Sequence, residues 1–424
     1  MTHSLSYTRD QRKVLFLSSL GGALEYYDFI IYIFFTHIIE KNFFSQPGSS
    51  FATLKTLAVF SIGYLLRPIG GVIFSHFGDR YGRKVVFILT VVCMAVPSMA
   101  IGLLPTTAQI GGWAPLLLLL FRMLQGLALG GEIPAAITFV AEHMDNYRKG
   151  FSLSTLFVGI NLGMLLASGA TSILSFVFTE TELMDYGWRV AFIVGGLFGF
   201  VSLWFRRSLQ ETTAFRSLKL QELKKVPFLY LMRHFPKQVF QGTFLVAIAA
   251  VCVFIFLYWP EYLHQYFHYD YSWLIRMNTL STFILSFMIL IGGLLVDQYG
   301  GRKVYLWGVG TLACSSYWIF HLLLIPNPWW TMVPYFMLSA IFCLLPAAYS
   351  MILTQMFPTS VRYSGVAMSY NLAYAFFGGT SPLISEFIIQ YSHQKLAPSL
   401  YITIIAVISW CVCFAQAKKL NSND

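Results

Sequence analysis

The sequence predicts an all-α membrane protein of twelve transmembrane helices in two six-helix bundles, with both the N- and C-termini cytoplasmic. Three observations lead there. Of 424 residues, 57% are hydrophobic and 11% charged, under half of the roughly 25% charge of a soluble domain. With a mean hydropathy of +0.65, the chain holds too few polar side chains to cover a water-facing surface. The apolar residues come in continuous runs, such as LLLLLF at 116–121, and not in the alternation of a membrane β-barrel. Finally, lysines and arginines gather in every second connection, as they do on the cytoplasmic side of helical membrane proteins.

A helix needs roughly 20 apolar residues to cross a bilayer, and twelve such runs follow one another. The first, 14–38, is long and lacks a small-residue cleavage site, so it is expected to remain as a span and not to be removed as a signal. The second, 54–75, carries Arg67-Pro68 and runs into Gly78-Asp79-Arg80-Tyr81-Gly82-Arg83-Lys84 before the third, 85–104. The fourth, 115–140, and the fifth, 150–177, contain glycines four apart, Gly126 with Gly130 and Gly159 with Gly163. Such pairs let helices approach closely. Gly187-Trp188-Arg189 opens the sixth, 188–205. Residues 206–237 form the longest polar connection, mixing basic and apolar residues as interfacial helices do.

The second half supplies spans at 238–259, 272–296, 304–325, 331–354, 364–389 and 399–416. After span 8 the chain reads Asp297-Gln298-Tyr299-Gly300-Gly301-Arg302-Lys303, repeating the acidic, glycine and basic turn that follows span 2. An internal repeat in a polytopic chain is a signature of secondary transporters, with the substrate site near the midplane between repeats. The expected organisation is therefore an N-terminal bundle at 1–205, a cytoplasmic connection at 206–237 and a C-terminal bundle at 238–424.

The net charge of +10 is a topology signal. With a cytoplasmic N-terminus, 21 of the 28 lysines and arginines fall inside and three (Lys41, Lys55 and Lys395) outside. No basic cluster is interleaved with aromatics on a polar domain, which excludes nucleic acid as a partner. The six cysteines lie within spans without metal-ligand spacing, so neither a disulfide framework nor a metal site is expected. Hydrolase, zinc-protease and phosphate-loop motifs are absent. Without an ATP-binding module or other cofactor, uphill movement would draw on a proton gradient.

The ionisable residues inside spans carry the functional reading, because each costs about 2.5–3.5 kcal/mol at the bilayer centre on insertion scales. Glu25 and Asp28 stand three apart and so share one helix face, which Tyr32 extends. Two carboxylates this close repel when both are ionised, so one is expected to hold a proton. Span 2 carries Arg67, and span 4 carries Arg122, Gln125 and Glu132. An arginine facing a polar cavity can hold a carboxylate by a bidentate pair, or can serve as a fixed partner of Glu25, Asp28 or Glu132. Arg276 and Asn278 open span 8, and Asn161, Gln241, Tyr370 and Asn371 could offer further contacts to a ligand.

At these residues the chain resembles the major facilitator superfamily, and more narrowly its metabolite:proton symporters, which include carriers of proline and betaine, α-ketoglutarate, citrate and shikimate. GGALEYYDF at 21–29 resembles that family's span-1 signature, with Glu25 and Asp28 at its acidic positions. The stretch 64–84 resembles its Arg-Pro-x-Gly-Gly segment and the loop motif, matching at Asp79, Arg80, Gly82 and Arg83. RMLQGLALGGEIPAAITFVAE at 122–142 resembles the span-4 motif, 209–215 the central-loop signature, and 356–382 the start of span 11. Ser75 in place of the loop motif's first glycine, Gly22, Tyr26 and Pro134-Ala135 depart from the pattern, as does the additional Gly301. The resemblance implies two bundles rocking about a central site. It also implies a cytoplasmic lock in which Asp79 pairs with arginines such as Arg80 and Arg83, with Asp297 and Arg302 as a weaker second copy. The chain ends soon after Lys419, without the coiled-coil tail of some osmosensing members, which is an expectation against an osmotic sensor.

These observations predict a monomeric, proton-coupled importer of a small polar metabolite in a bacterial inner membrane. An organic carboxylate is favoured over an amino acid or betaine, because Arg67, Arg122 and Arg276 are available. The alternative is a proton-driven exporter of a small metabolite or siderophore. A membrane-embedded transferase, with His264, His268 and Asp270 as its nearest approach to a catalytic cluster, and a non-transporting sensor are remote.

Overall fold

The computed structural model describes residues 7–44, 59, 62–207, 209–217, 226–325 and 327–420. Among these there is no strand, and eleven helices are long and apolar enough to cross a membrane. The expected span 2 is the one missing from that count, because 54–58, 60 and 61 lie outside the described residues. Its remainder is seen as the helix Arg67–Tyr81. Lys55, Lys219, Lys224 and Lys225 also lie outside them.

Helix boundaries follow local chemistry. Span 1 (Arg9–Phe34) starts at a capping box, in which Thr8 accepts from the Gln11 amide at 3.2 Å and Gln11 accepts from the Thr8 amide at 3.1 Å. Two otherwise orphaned amides are satisfied in this way. Span 8 (Tyr271–Tyr299) starts at Asp270, which accepts from the Trp273 amide at 2.6 Å. Span 10 is broken into Pro328–Phe342 and Leu345–Met356, and span 11 into Arg362–Ala373 and Ser381–Ser392 around a π-helical turn at Tyr374–Gly378.

Both copies of the repeated turn bend at a glycine with positive φ, Gly82 at 113° and Gly300 at 87°. A side chain would be strained at either position. Span 3 (Arg83–Leu103) and span 9 (Gly301–His321) start directly after them.

The chain forms two compact units. One holds residues 1–143 and 159–228, and the other 144–158 and 229–424. In the first unit, Gly126 and Gly130 of span 4 (Trp113–His143) lie against the backbone at Gly63 and Arg67. Gly159 and Gly163 of span 5 (Lys149–Val177) lie against Ser19 and Ala23 of span 1. At all four positions a Cβ would overlap a carbonyl oxygen, so the spacing four apart is a packing device.

Candidate functional site

The first unit buries a polar network that the apolar spans enclose completely. Glu25, Asp28, Arg67, Arg122, Gln125, Glu132 and Arg206 are each 3% exposed or less. One branch is built on Asp28. Its Oδ2 accepts from Ser98 Oγ at 2.7 Å, Gln125 Nε2 donates to Ser98 at 2.7 Å, and Arg122 Nη1 donates to Gln125 Oε1 at 3.0 Å. Arg122 thus reaches Asp28 through a relay of two neutral side chains. Its guanidinium also lies over the Tyr32 ring at 4.1 Å and the Phe29 ring at 5.1 Å, a placement favoured by the ring quadrupole.

The other branch is built on Glu132, whose Oε1 pairs with Arg206 Nη2 at 2.5 Å. Its Oε2 accepts from Thr90. Arg206 also donates to the Phe87 carbonyl at 2.7 Å and lies over the Phe87 ring at 3.8 Å. A buried ion pair is tolerated only when such additional hydrogen bonds satisfy it. Two glycines give the branches room. A Cβ at Gly21 would overlap the Arg206 guanidinium, and one at Gly195 would overlap Asp28 Oδ1.

Glu25 stands between the branches. Both its oxygens are buried with no hydrogen-bond partner among the described residues, as is Asp28 Oδ1. It lies within electrostatic reach of Glu132, Arg67, Arg206 and Asp28. Beside it is a void of about 20 Å³ lined by Gly21, Glu25, Asp28, Glu132, Gly199 and Ser202 among others, enough for about one water molecule. A carboxyl in this position can gain or lose a proton without breaking a fixed hydrogen bond.

At the cytoplasmic end of the same unit, Asp79 and Arg83 form an ion pair at 3.0 Å with neither side chain exposed. Arg83 also donates to the Gly78 carbonyl at 2.8 Å and approaches Glu142 at 3.5 Å. The central-loop signature docks here. Glu211 accepts from the Lys84 amide at 3.1 Å, Thr212 donates to Glu142 at 2.8 Å, and the Phe215 ring lies 5.0 Å from the Arg83 guanidinium. Arg80 is exposed and lies over the Tyr81 ring.

The second copy of the turn is wired differently. Asp297 accepts from the Gly150 amide at 2.6 Å and the Phe151 amide at 2.8 Å, at the N-terminus of span 5. A carboxylate there complements the helix dipole. No ion pair between Asp297 and Arg302 is present among the described residues. In both copies the turn glycine parts the aspartate's helix from the arginine's, but Arg83 follows Asp79 by four residues, whereas Gly301 sets Arg302 five after Asp297.

The remaining sequence candidates are spread over both units. Asn161 is half-buried in the first, its amide nitrogen without a hydrogen-bond partner among the described residues. In the second, Tyr370 and Asn371 are fully buried, with Tyr370 stacked on Tyr374 at 4.5 Å. Gln241 and Asn278 are half-buried and Arg276 is exposed. Arg206 was expected as a basic residue of the cytoplasmic connection; instead it is a core residue and the partner of Glu132. Ser98 and Thr90 also complete the network without having been singled out, since a hydroxyl in an apolar run gives no signal beyond packing.

Residues 18–382 match the Major Facilitator Superfamily. A putative proline/betaine transporter of Staphylococcus aureus (strain COL) is 35% identical over 413 residues, which covers 95% of this chain and 87% of that protein. The proline/betaine transporter of Escherichia coli (strain K12) is 32% identical over 421 residues, covering 97% and 84%. Among solved structures, a double-tryptophan mutant of XylE superposes with a TM-score of 0.79 over 95% of both chains at 15% identity. The human organic anion transporter MFSD10 does so with a TM-score of 0.71 at 14% identity, over 96% of this chain and 100% of that one. At those identities the likeness concerns the fold.

Proposed function

Because the chain belongs to the Major Facilitator Superfamily, and is therefore a multi-pass transporter of the inner membrane and not an enzyme, we propose that it imports a small zwitterion of the proline or betaine class together with protons. The substrate class rests on the relatives: proteins 35% and 32% identical over almost the whole chain are named proline/betaine transporters. It turns the sequence preference for an organic carboxylate toward the amino acid or betaine that the sequence had placed second.

Proton coupling rests on one observation, the Glu25 carboxyl held without a hydrogen-bond partner beside a water-sized void. Glu25 is the proposed proton carrier, and Asp28 senses its charge across the same void. Arg122, tied to Asp28 through Gln125 and Ser98, links protonation to a cation able to pair with a carboxylate. In the proposed cycle Glu25 takes a proton from outside, substrate binds, access switches by alternating access, and both leave inward.

The test is uptake of radiolabelled proline and glycine betaine by cells expressing the protein, with and without a protonophore. Protonophore-sensitive accumulation is expected. Efflux from loaded vesicles without any uptake would overturn the import direction and favour the exporter.

A further inference from the structure

The second unit contains a cavity of about 690 Å³, lined in part by Gln241, a ligand contact offered by the sequence, and by none of the residues of the Glu25–Asp28 network. Its walls come from cytoplasmic helix ends. Lys237 and Gln238 are at the start of span 7 (Pro236–Phe267), Tyr299 to Lys303 form the turn between spans 8 and 9, and Gln355 and Met356 end span 10. The cavity therefore lies at the cytoplasmic end of the second unit.

Its charge is one-sided. Among the described residues, Lys237, Arg302 and Lys303 line it and no acidic side chain does. None of the three has an ion pair among the described residues, and Arg302 Nε is buried with no hydrogen-bond partner. The nearest acid in sequence, Asp297, is committed to the Gly150 and Phe151 amides. The 21-residue helix of span 9 begins in the same wall with no side chain capping it, so its first amides and dipole add to the positive field. Gln238 and Gln355 supply neutral donors, while Met351, Ile352 and Met356 make part of the wall apolar.

We propose that this cavity binds a phosphate group, with Arg302, Lys303 and Lys237 as its cations and the span 9 amides as its cradle. Basic pockets between membrane helices on the cytoplasmic side suit anionic lipid headgroups, and the methionine and isoleucine wall suits the apolar part of such a lipid. The expected source is an anionic phospholipid of the inner leaflet; free phosphate is the other. The site shares Gln241 with the ligand contacts offered by the sequence and no residue with the proton network above.

The experiment uses purified full-length protein in detergent. Binding is read by native mass spectrometry and by thermal midpoint, with dioctanoyl phosphatidylglycerol, dioctanoyl phosphatidylcholine and inorganic phosphate as probes. Phosphatidylglycerol is expected to bind and stabilise, phosphatidylcholine to do neither, and the Arg302→Gln/Lys303→Gln protein to bind phosphatidylglycerol roughly tenfold or more weakly. Should that double variant fail to fold, Lys237→Gln, on a different helix, is expected to weaken binding in the same direction. Stabilisation by inorganic phosphate alone, lost in the same variants, would support the site with free phosphate as its source. Equal binding of both lipids, or phosphatidylglycerol binding unchanged in every variant, would overturn the proposal.

Discussion

Arg206 donates to Glu132 and to the Phe87 carbonyl from a position with no exposed surface, so the cost of removing it is set by what it leaves behind. Breaking one side of a buried pair costs about 3–5 kcal/mol, because the partner charge stays buried alone. Arg206→Met is expected to lower the thermal midpoint of the purified protein by that order of destabilisation. Glu132→Gln added to it should restore part of the loss, since the two changes share one interaction and are not additive. A double variant no more stable than Arg206→Met would remove the pair from this account. Gly21→Ala addresses the same group sterically: a Cβ there overlaps the guanidinium, and overpacking of a tight core costs typically about 1–3 kcal/mol. The sequence made Glu25, Asp28, Arg122, Gln125 and Glu132 visible because polar groups within long apolar runs are expensive and need a reason. Arg206 was invisible on the same logic. It sits at the end of its span beside Arg207, where a positive charge is already explained by topology.

Helix ends carry the next level of organisation. The start of span 3 is capped from outside its own chain segment by Glu211, which receives the Lys84 amide, and the start of span 5 is capped by Asp297. Loss of a cap costs about 1 kcal/mol, so Glu211→Ala should raise hydrogen exchange about fivefold at the Lys84 amide and leave the start of span 5 unchanged. Asp297→Ala should do the reverse, at the Gly150 and Phe151 amides. Uniform acceleration at both ends in either variant would mean that these are general weak points and not separate caps. The repeated turn itself was readable from the sequence, and the structure adds that one glycine in each copy takes a positive φ. Its wiring was not readable, because Asp79 pairs with Arg83 nearby in the chain whereas Asp297 reaches amides about 150 residues away, at the start of span 5. Apolar content likewise located the spans but not the breaks in spans 10 and 11, although Pro346 and the run Gly378-Gly379-Thr380-Ser381-Pro382 mark them with residues that interrupt helices.

Span 5 runs unbroken from Lys149 to Val177, and the division between the two compact units falls within it. The repeat suggests a division within 206–237, whereas the compact units assign 144–158 to the one that contains 229–424. The contacts that draw this segment in are long-range: Asp297 on the Gly150 and Phe151 amides, and the Gly293 backbone beside Gly150 and Ser154. Such pairing leaves no periodic trace in a sequence. The proposed coupling is a property of this scale, since it joins a proton at Glu25 to net movement of solute. One proton falling through one pH unit is worth about 1.4 kcal/mol, a tenfold accumulation ratio. A side chain that keeps its shape but cannot ionise should lose that ratio without losing the path. Glu25→Gln is therefore expected to exchange labelled for unlabelled substrate across reconstituted vesicles at a rate comparable to the unaltered protein. Under an imposed pH gradient it should accumulate no substrate above the outside concentration, while Asp28→Asn retains part of the gradient response. Accumulation by Glu25→Gln equal to that of the unaltered protein would take the proton from this residue. Loss of exchange and accumulation together would make Glu25 a substrate contact instead, because a proton carrier frozen in its neutral form still permits the solute-bound protein to switch sides.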